Sequence, residues 1–152
     1  MKKIFYFLTT VIFVNCYATD IYVNSSGQAG TYTTLSAALT AANDGDRIII
    51  SSLISLYENV SVDKSVTITS STADSSFILN GTMTIVANQN KEIRIIGGDV
   101  TSLAFSSGTA TDATHCKFYF VDSKVANDFN STPYGLSVNL LYCNNPNLDI
   151  TF

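Results

Sequence analysis

The chain has 152 residues, of which 46% are hydrophobic and only 13% charged. That balance excludes an intrinsically disordered chain and allows one domain with a modest core. A net charge of −4 excludes a surface built to neutralise nucleic-acid phosphates. Eight Tyr, nine Phe, no Trp and many Thr, Val, Ile and Ser favour strands.

In chain order, the first element is a targeting segment. "MKKIFYFLTTVIFVNCYATD" opens on Lys2 and Lys3 and continues with an apolar run from Ile4 to Val14. Cys16 and Ala18 then supply small residues for cleavage after Ala18. This is the tripartite form of a secretory signal over residues 1–18. The run is too short for a comfortable membrane span, and no later stretch is long and apolar enough for one. A rival reading lipidates Cys16, but "FVNC" lacks the small residues that ordinarily precede a lipoprotein cysteine. The expected address is therefore secreted or cell-surface. The Met-Lys-Lys start has a bacterial form, so Asn-x-Ser/Thr sequences at Asn24, Asn59, Asn80 and Asn130 are set aside as glycan acceptors.

Residues 19–46 read as a short strand, Ile21 to Val23, and then a helix. Thr33 or Thr34 can cap that helix through its hydroxyl. Leu35, Ala38, Leu39 and Ala42 follow at helical spacing as one narrow apolar stripe. "NDGD" ends the helix, with Gly45 available for a left-handed cap.

Residues 47–152 read as short strands at Arg47–Ser51, Ser65–Thr69, Glu92–Ile96, Lys117–Val121 and Asn139–Cys143. Strand-like pieces, "ENVSV" and "FILNGTMTIV", lie between them. Aligning Ile50, Ile68, Ile95, Phe118 and Leu141 gives steps about twice those of a hairpin meander, with no helices for βαβ crossovers. A parallel β-helix fits that spacing, an all-β solenoid of about five coils with two or three strands each. Alternation places Ile48, Ile50, Val66, Ile68, Ile93, Ile95, Phe118, Phe120, Leu141 and Cys143 inside. The helix is then a capping lid over the apolar end of the first coil, which otherwise exposes unpaired backbone. The chain stops at "NLDITF" within a strand, so the expectation is an incomplete rod, with a C-terminal continuation or a partner covering the last coil.

Residues 32–71, "YTTLSAALTAANDGDRIIISSLISLYENVSVDKSVTITSS", resemble the opening segment of secreted right-handed β-helix proteins of the pectin-lyase-like superfamily. Tyr57, Glu58, Asn59, Val60, Val62, Lys64, Val66 and Ile68 follow the order of that segment. The resemblance covers about a quarter of the chain. It implies a right-handed β-helix, and it says little of activity, because one fold hosts many functions. Enzymes of the superfamily act on acidic sugars from the outer face of a middle coil. Polygalacturonase-like members carry paired Asp, Gly-His-Gly and Arg-Ile-Lys motifs, and this chain has none of them. Pectate-lyase-like members need clustered carboxylates and an Arg base, whereas the acidic residues here are dispersed.

The residues therefore give no catalytic, cofactor or metal site. His115 is the single histidine, and Cys116 beside it would face the other side of a strand. Asp44, Asp46, Asp63, Asp99 and Asp122 offer oxygen to calcium, but no calcium-loop repeat organises them, and Asp at turns ordinarily bonds its own backbone. The outward columns carry the one binding expectation. Arg94 and Lys117 are expected on one column, with Tyr119 and Tyr142 on the next. Cations beside aromatic faces can hold an acidic polysaccharide, although coil repetition alone also stacks like side chains. Cys116 and Cys143 are expected as unbridged apolar fillers, being four residues out of register. The leading reading is an exported β-helix module with a structural or surface-interaction, glycan-contacting role. The alternative is the N-terminal part of a polysaccharide lyase or glycosidase.

Overall fold

The computed structural model describes residues 17–87, 90–107, 116–130 and 137–141. Among them the elements are β1 (Asp20–Val23), α1 (Leu35–Ala41), β2 (Arg47–Ile50), β3 (Ser55–Leu56), β4 (Val60–Val62) and β5 (Thr67–Ser70). They continue with β6 (Phe77–Ala87), β7 (Glu92–Ile96), β8 (Gly98–Ser107), β9 (Lys117–Val121), β10 (Lys124–Asn130) and β11 (Ser137–Leu141). Strand after strand leaves one sheet, crosses into the other and returns parallel to its predecessor. The first sheet has the order β1-β2-β5-β7-β9-β11, and the second β10-β8-β6-β3, with β4 also pairing β6. Every strand pairing is parallel. Parallel strands need long connections: α1 lies on the one from β1 to β2, and from β2 onward each connection runs through the opposite sheet. The result is a parallel β-solenoid of about four turns, where the sequence spacing predicts about five.

The interior follows from period-two alternation. Ile48, Ile50, Val66, Ile68, Ile93, Ile95, Phe118 and Phe120 all point inward and are buried, as expected. The second sheet answers with Leu56, Val60, Val62, Phe77, Leu79, Met83, Ile85, Val100, Leu103, Phe105 and Val125. Phe105 meets Phe118 edge-on across the core, with ring centroids 5.3 Å apart. This geometry suits the ring quadrupoles. Cys116 is buried beside Ala87, as an apolar filler should be. Cys143 lies outside the described residues, as do residues 1–16 with the expected signal and Cys16, and also His115 and Tyr142.

The registers correct the alignment expected from the sequence. Ile48, not Ile50, pairs with Ile68, and Phe120, not Phe118, pairs with Ile95. These are two-residue slips, which leave every side chain on its own face. The last pairing is different in kind. Val138 and Leu140 stand opposite Phe118 and Phe120, and Leu141 stands opposite Val121. The difference there is three residues, an odd number, where the other slips are even. The doublet Leu140-Leu141 permits either parity, and the sequence pattern alone does not choose between them.

α1 has Thr34 as its N-cap, its hydroxyl accepting from Ala37 N–H at 3.2 Å. Leu35, Ala38, Leu39 and Ala42 are buried in the common core, and the helix packs against β1, β2 and β4. Its C-terminus departs from expectation. Ala42 caps it in extended conformation, and Gly45 takes its positive φ of 96° in the turn that follows.

Candidate functional site

Both ends of α1 are held by charges from one later stretch, residues 58–64. Glu58 Oε1 accepts from Leu35 N–H at 2.7 Å and Oε2 from Ser36 N–H at 3.0 Å. Lys64 Nζ donates to the carbonyls of Leu39, Thr40 and Ala42 at 2.8, 3.1 and 2.6 Å. A helix leaves its first N–H and last C=O groups unpaired, and its dipole favours an anion at the first end and a cation at the last. A seven-residue helix has little intrinsic stability, so these clamps and its buried face fix it. Glu58→Ala and Lys64→Met are each expected to cost about 2–4 kcal/mol, because each strands several backbone groups of a charge-assisted set. Urea unfolding of the two variants checks this, and an unchanged midpoint would contradict it.

"NDGD" is likewise structural. Asp46, buried, accepts from Thr19 N–H at 2.8 Å and from Asn43 N–H at 2.7 Å. Asp44 accepts from Ser65 N–H at 2.8 Å and pairs with Lys91 Nζ at 2.5 Å. The Lys91 hydrogen bond, seconded by Ser65 N–H, holds the Asp44 carboxyl below its ordinary 3.8 against the opposing pull of partial burial. A depressed folded value means that the pair stabilises fully above the ordinary value and is lost as pH falls through the folded one. Asp44→Asn is expected to cost about 0.2–1 kcal/mol near neutrality, since the carboxylate is half exposed. The variant's melting temperature should fall less steeply than the native one below about pH 4. A parallel acid limb in both proteins would contradict the assignment.

The expected binding residues are partly brought together. On the outer face of the first sheet, β7 and β9 pair Glu92 with Lys117 and Arg94 with Tyr119. Arg94 and Lys117 thus do not share a column, which corrects the expected stacking. The two-residue slip noted above puts the cation on the tyrosine instead. The Arg94 guanidinium sits 4.5 Å from the Tyr119 ring centroid, and Glu92 Oε1 accepts from its Nε at 2.9 Å. Tyr142 lies outside the described residues. The same column continues through Thr67 to Arg47, which is bidentate on Asp20 at 2.9 and 2.6 Å. That fork holds the Asp20 carboxyl below its usual range. The neighbouring outward column is largely apolar, running Tyr22, Ile49, Thr69, Ile96 and Val121.

Two hollows lie near charged groups. One, of about 450 Å³, opens at the C-terminal end of α1 beside Asp44, Asp63, Lys64 and Lys91. The other, of about 330 Å³, has Asp74, Ser75 and Ser76 on one wall and Asp122, Ser123 and Lys124 on the other. Sequence reading missed the second, because Asp74 and Asp122 are far apart in the chain and only the coil stacking unites them. Among the described residues, no group of three or more His, Cys, Asp or Glu is placed to hold a metal, and no helix is long and apolar enough to cross a membrane.

The fold defines the chain as a parallel β-solenoid protein. Comparison with protein-family models, curated proteins and solved structures finds no match to it.

Proposed function

We propose that the chain is an exported, right-handed β-helix module of about five coils, with the architecture of the pectin-lyase-like superfamily and α1 as the lid of its first coil. Its role is structural and surface-interacting, with polysaccharide contacted on the outer face of the first sheet, and it is not itself a catalyst. The observation that supports this reading most strongly is how its charges are used. Asp20, Asp44, Asp46, Glu58 and Glu92 each hold an Arg, a Lys or a backbone N–H. A general acid, a general base or a calcium ligand needs a carboxylate left for the substrate or ion, and these five are committed to the scaffold. The contact surface is the exposed Arg94 on Tyr119 with Lys117 beside Glu92, a cation–aromatic pair suited to ring stacking and to acidic groups.

Electrophoresis of the mature chain through gels containing alginate or polygalacturonate tests the reading. Retardation in at least one gel is expected, weakened about tenfold in apparent affinity when Arg94 and Tyr119 are both replaced by alanine. Unchanged mobility in every gel would contradict a glycan-contacting face.

A further inference from the structure

The hollow between Asp74 and Lys124 has a structural origin that points to a use. Three successive corners lead from the first sheet to the second. The β5–β6 corner has six residues, 71–76, the β7–β8 corner only Gly97, and the β9–β10 corner Asp122 and Ser123. Gly97 lies between the other two, its carbonyl accepting from Phe77 N–H and its N–H donating to Val121 O, both at 3.1 Å. Gly98 N–H donates to Ser123 Oγ at 2.9 Å, and Ser123 in turn donates to Val121 O at 2.7 Å. Two larger corners therefore overhang a middle corner with no side chain, and the gap between them is a notch with a rigid floor. Neither glycine can fill it. Gly97 has φ 65°, and a Cβ on Gly98 would stand 2.8 Å from Phe77 Cζ.

The charges at this notch are not used by the scaffold. Asp74, Asp122 and Lys124 are exposed and form no ion pair or side-chain hydrogen bond with a described residue. Asp63, Asp99 and Lys117 are similarly unengaged, but none of them lines this hollow. Two carboxylates, an ammonium and Ser75 and Ser76 of the β5–β6 corner line a space near the lower bound of ordinary ligand sites. We infer that the notch binds one uncharged sugar unit of a glycan, through its hydroxyl groups. Carboxylates accept from sugar hydroxyls, the Lys124 ammonium donates to a hydroxyl oxygen, and the Ser75 and Ser76 hydroxyls do either, while the Ser123 hydroxyl is spent on Gly98 N–H and Val121 O. The surplus of one negative charge repels a uronate unit. The mostly polar wall, with Ala73 as its apolar side chain, favours a hydroxyl-bearing ligand over a hydrocarbon one and sets a weak affinity, on the order of millimolar for a single unit. Asp122 lies three residues beyond Tyr119, roughly 10 Å at about 3.3 Å per residue, so one chain can reach both the notch and the outer face. Weak contacts in series then sum by effective concentration. This inference rests on the glycan-contacting reading above and adds a second, chemically different subsite.

Titration of the isotope-labelled mature chain with methyl glycosides of glucose, galactose, mannose and N-acetylglucosamine, and separately with methyl galacturonate, tests it by amide chemical shifts. The expected result is saturable movement of the Ser75, Ser76 and Ser123 amides with at least one neutral glycoside and none with the uronate. The double change Asp74→Ala and Asp122→Asn should weaken it at least tenfold, Lys124→Gln less so, and Arg94→Ala not at all. Asparagine tolerates the positive φ of 46° at position 122, so the variant's spectrum away from the notch should be unchanged. No saturable shift, equal binding of the uronate, or binding that survives the double change would overturn the notch. Retardation by polysaccharide gels without notch shifts would sink the notch alone. Notch shifts without retardation would sink the outer-face reading alone.

Discussion

Replacing Gly81 by alanine is expected to destabilise the fold by about 3–5 kcal/mol, a large part of the stability of a domain of this size. β6 is one long strand that pairs with two short ones, β3 through Ile78 and Leu79, and β4 through Met83 to Ile85. The corner 57–59 between those short strands presses against the irregularity in β6 between Leu79 and Thr82. A Cβ at position 81 would stand 2.0 Å from Glu58 O and 2.7 Å from Glu58 C, both backbone atoms that cannot swing aside. The corner would have to retreat. Glu58 would then leave the N-terminus of α1, and Asn59 Oδ1 would lose its 2.8 Å bond from Thr82 N–H. Gly30→Ala is the control, since a positive φ of 80° strains it but nothing lies within 4 Å. It should cost only about 1–2 kcal/mol. Thermal melts of the pair decide, and equal losses would show that the Glu58 corner is not the cause.

Leu39→Asp is the second large effect. Leu39 is 7% exposed in the common core, on a helix packed against edge strands β1 and β4. The change removes about 1.5–3 kcal/mol of apolar burial and places a carboxylate near the negative end of the helix dipole. A total of about 3–5 kcal/mol follows, and on the proposed reading of α1 as a lid the apolar surface so freed promotes association. Sizing chromatography should show oligomers or aggregate. A monomer of unchanged melting temperature would contradict the proposed lid.

Much of this architecture is legible in the sequence because alternation is local. β7 and β9 fall within the expected bounds Glu92–Ile96 and Lys117–Val121, and the inward faces of four strands of the first sheet are read correctly. Register is less legible, since Ile48 and Ile50 are chemically equivalent partners for Ile68, and only the corners decide between them. What local rules miss is long-range. Gly45 has the residue type of a helix cap, yet the carbonyls it would serve are taken by Lys64, more than twenty residues on. The order Glu58…Lys64 is visible in the chain, but its meaning as a clamp on both ends of α1 requires the return of the coil. The candidate site is legible to a smaller extent. Arg94 and Tyr119 are found as types and meet in a different pairing, while the Asp74–Asp122 notch arises from unequal corner lengths that no motif encodes.

The central claim of the proposed function is that Asp20, Asp44, Asp46, Glu58 and Glu92 serve the scaffold and that the chain binds polysaccharide without cleaving it. Incubating the protein with polygalacturonate and with alginate, while following the absorbance of unsaturated products and the release of reducing ends, tests it most directly. No product above the protein-free control is predicted, at concentrations where the polysaccharide gels retard the protein. Turnover that rises in proportion to protein concentration and is abolished in Asp74→Ala or Asp122→Asn would contradict it and identify the corner notch as a catalytic centre.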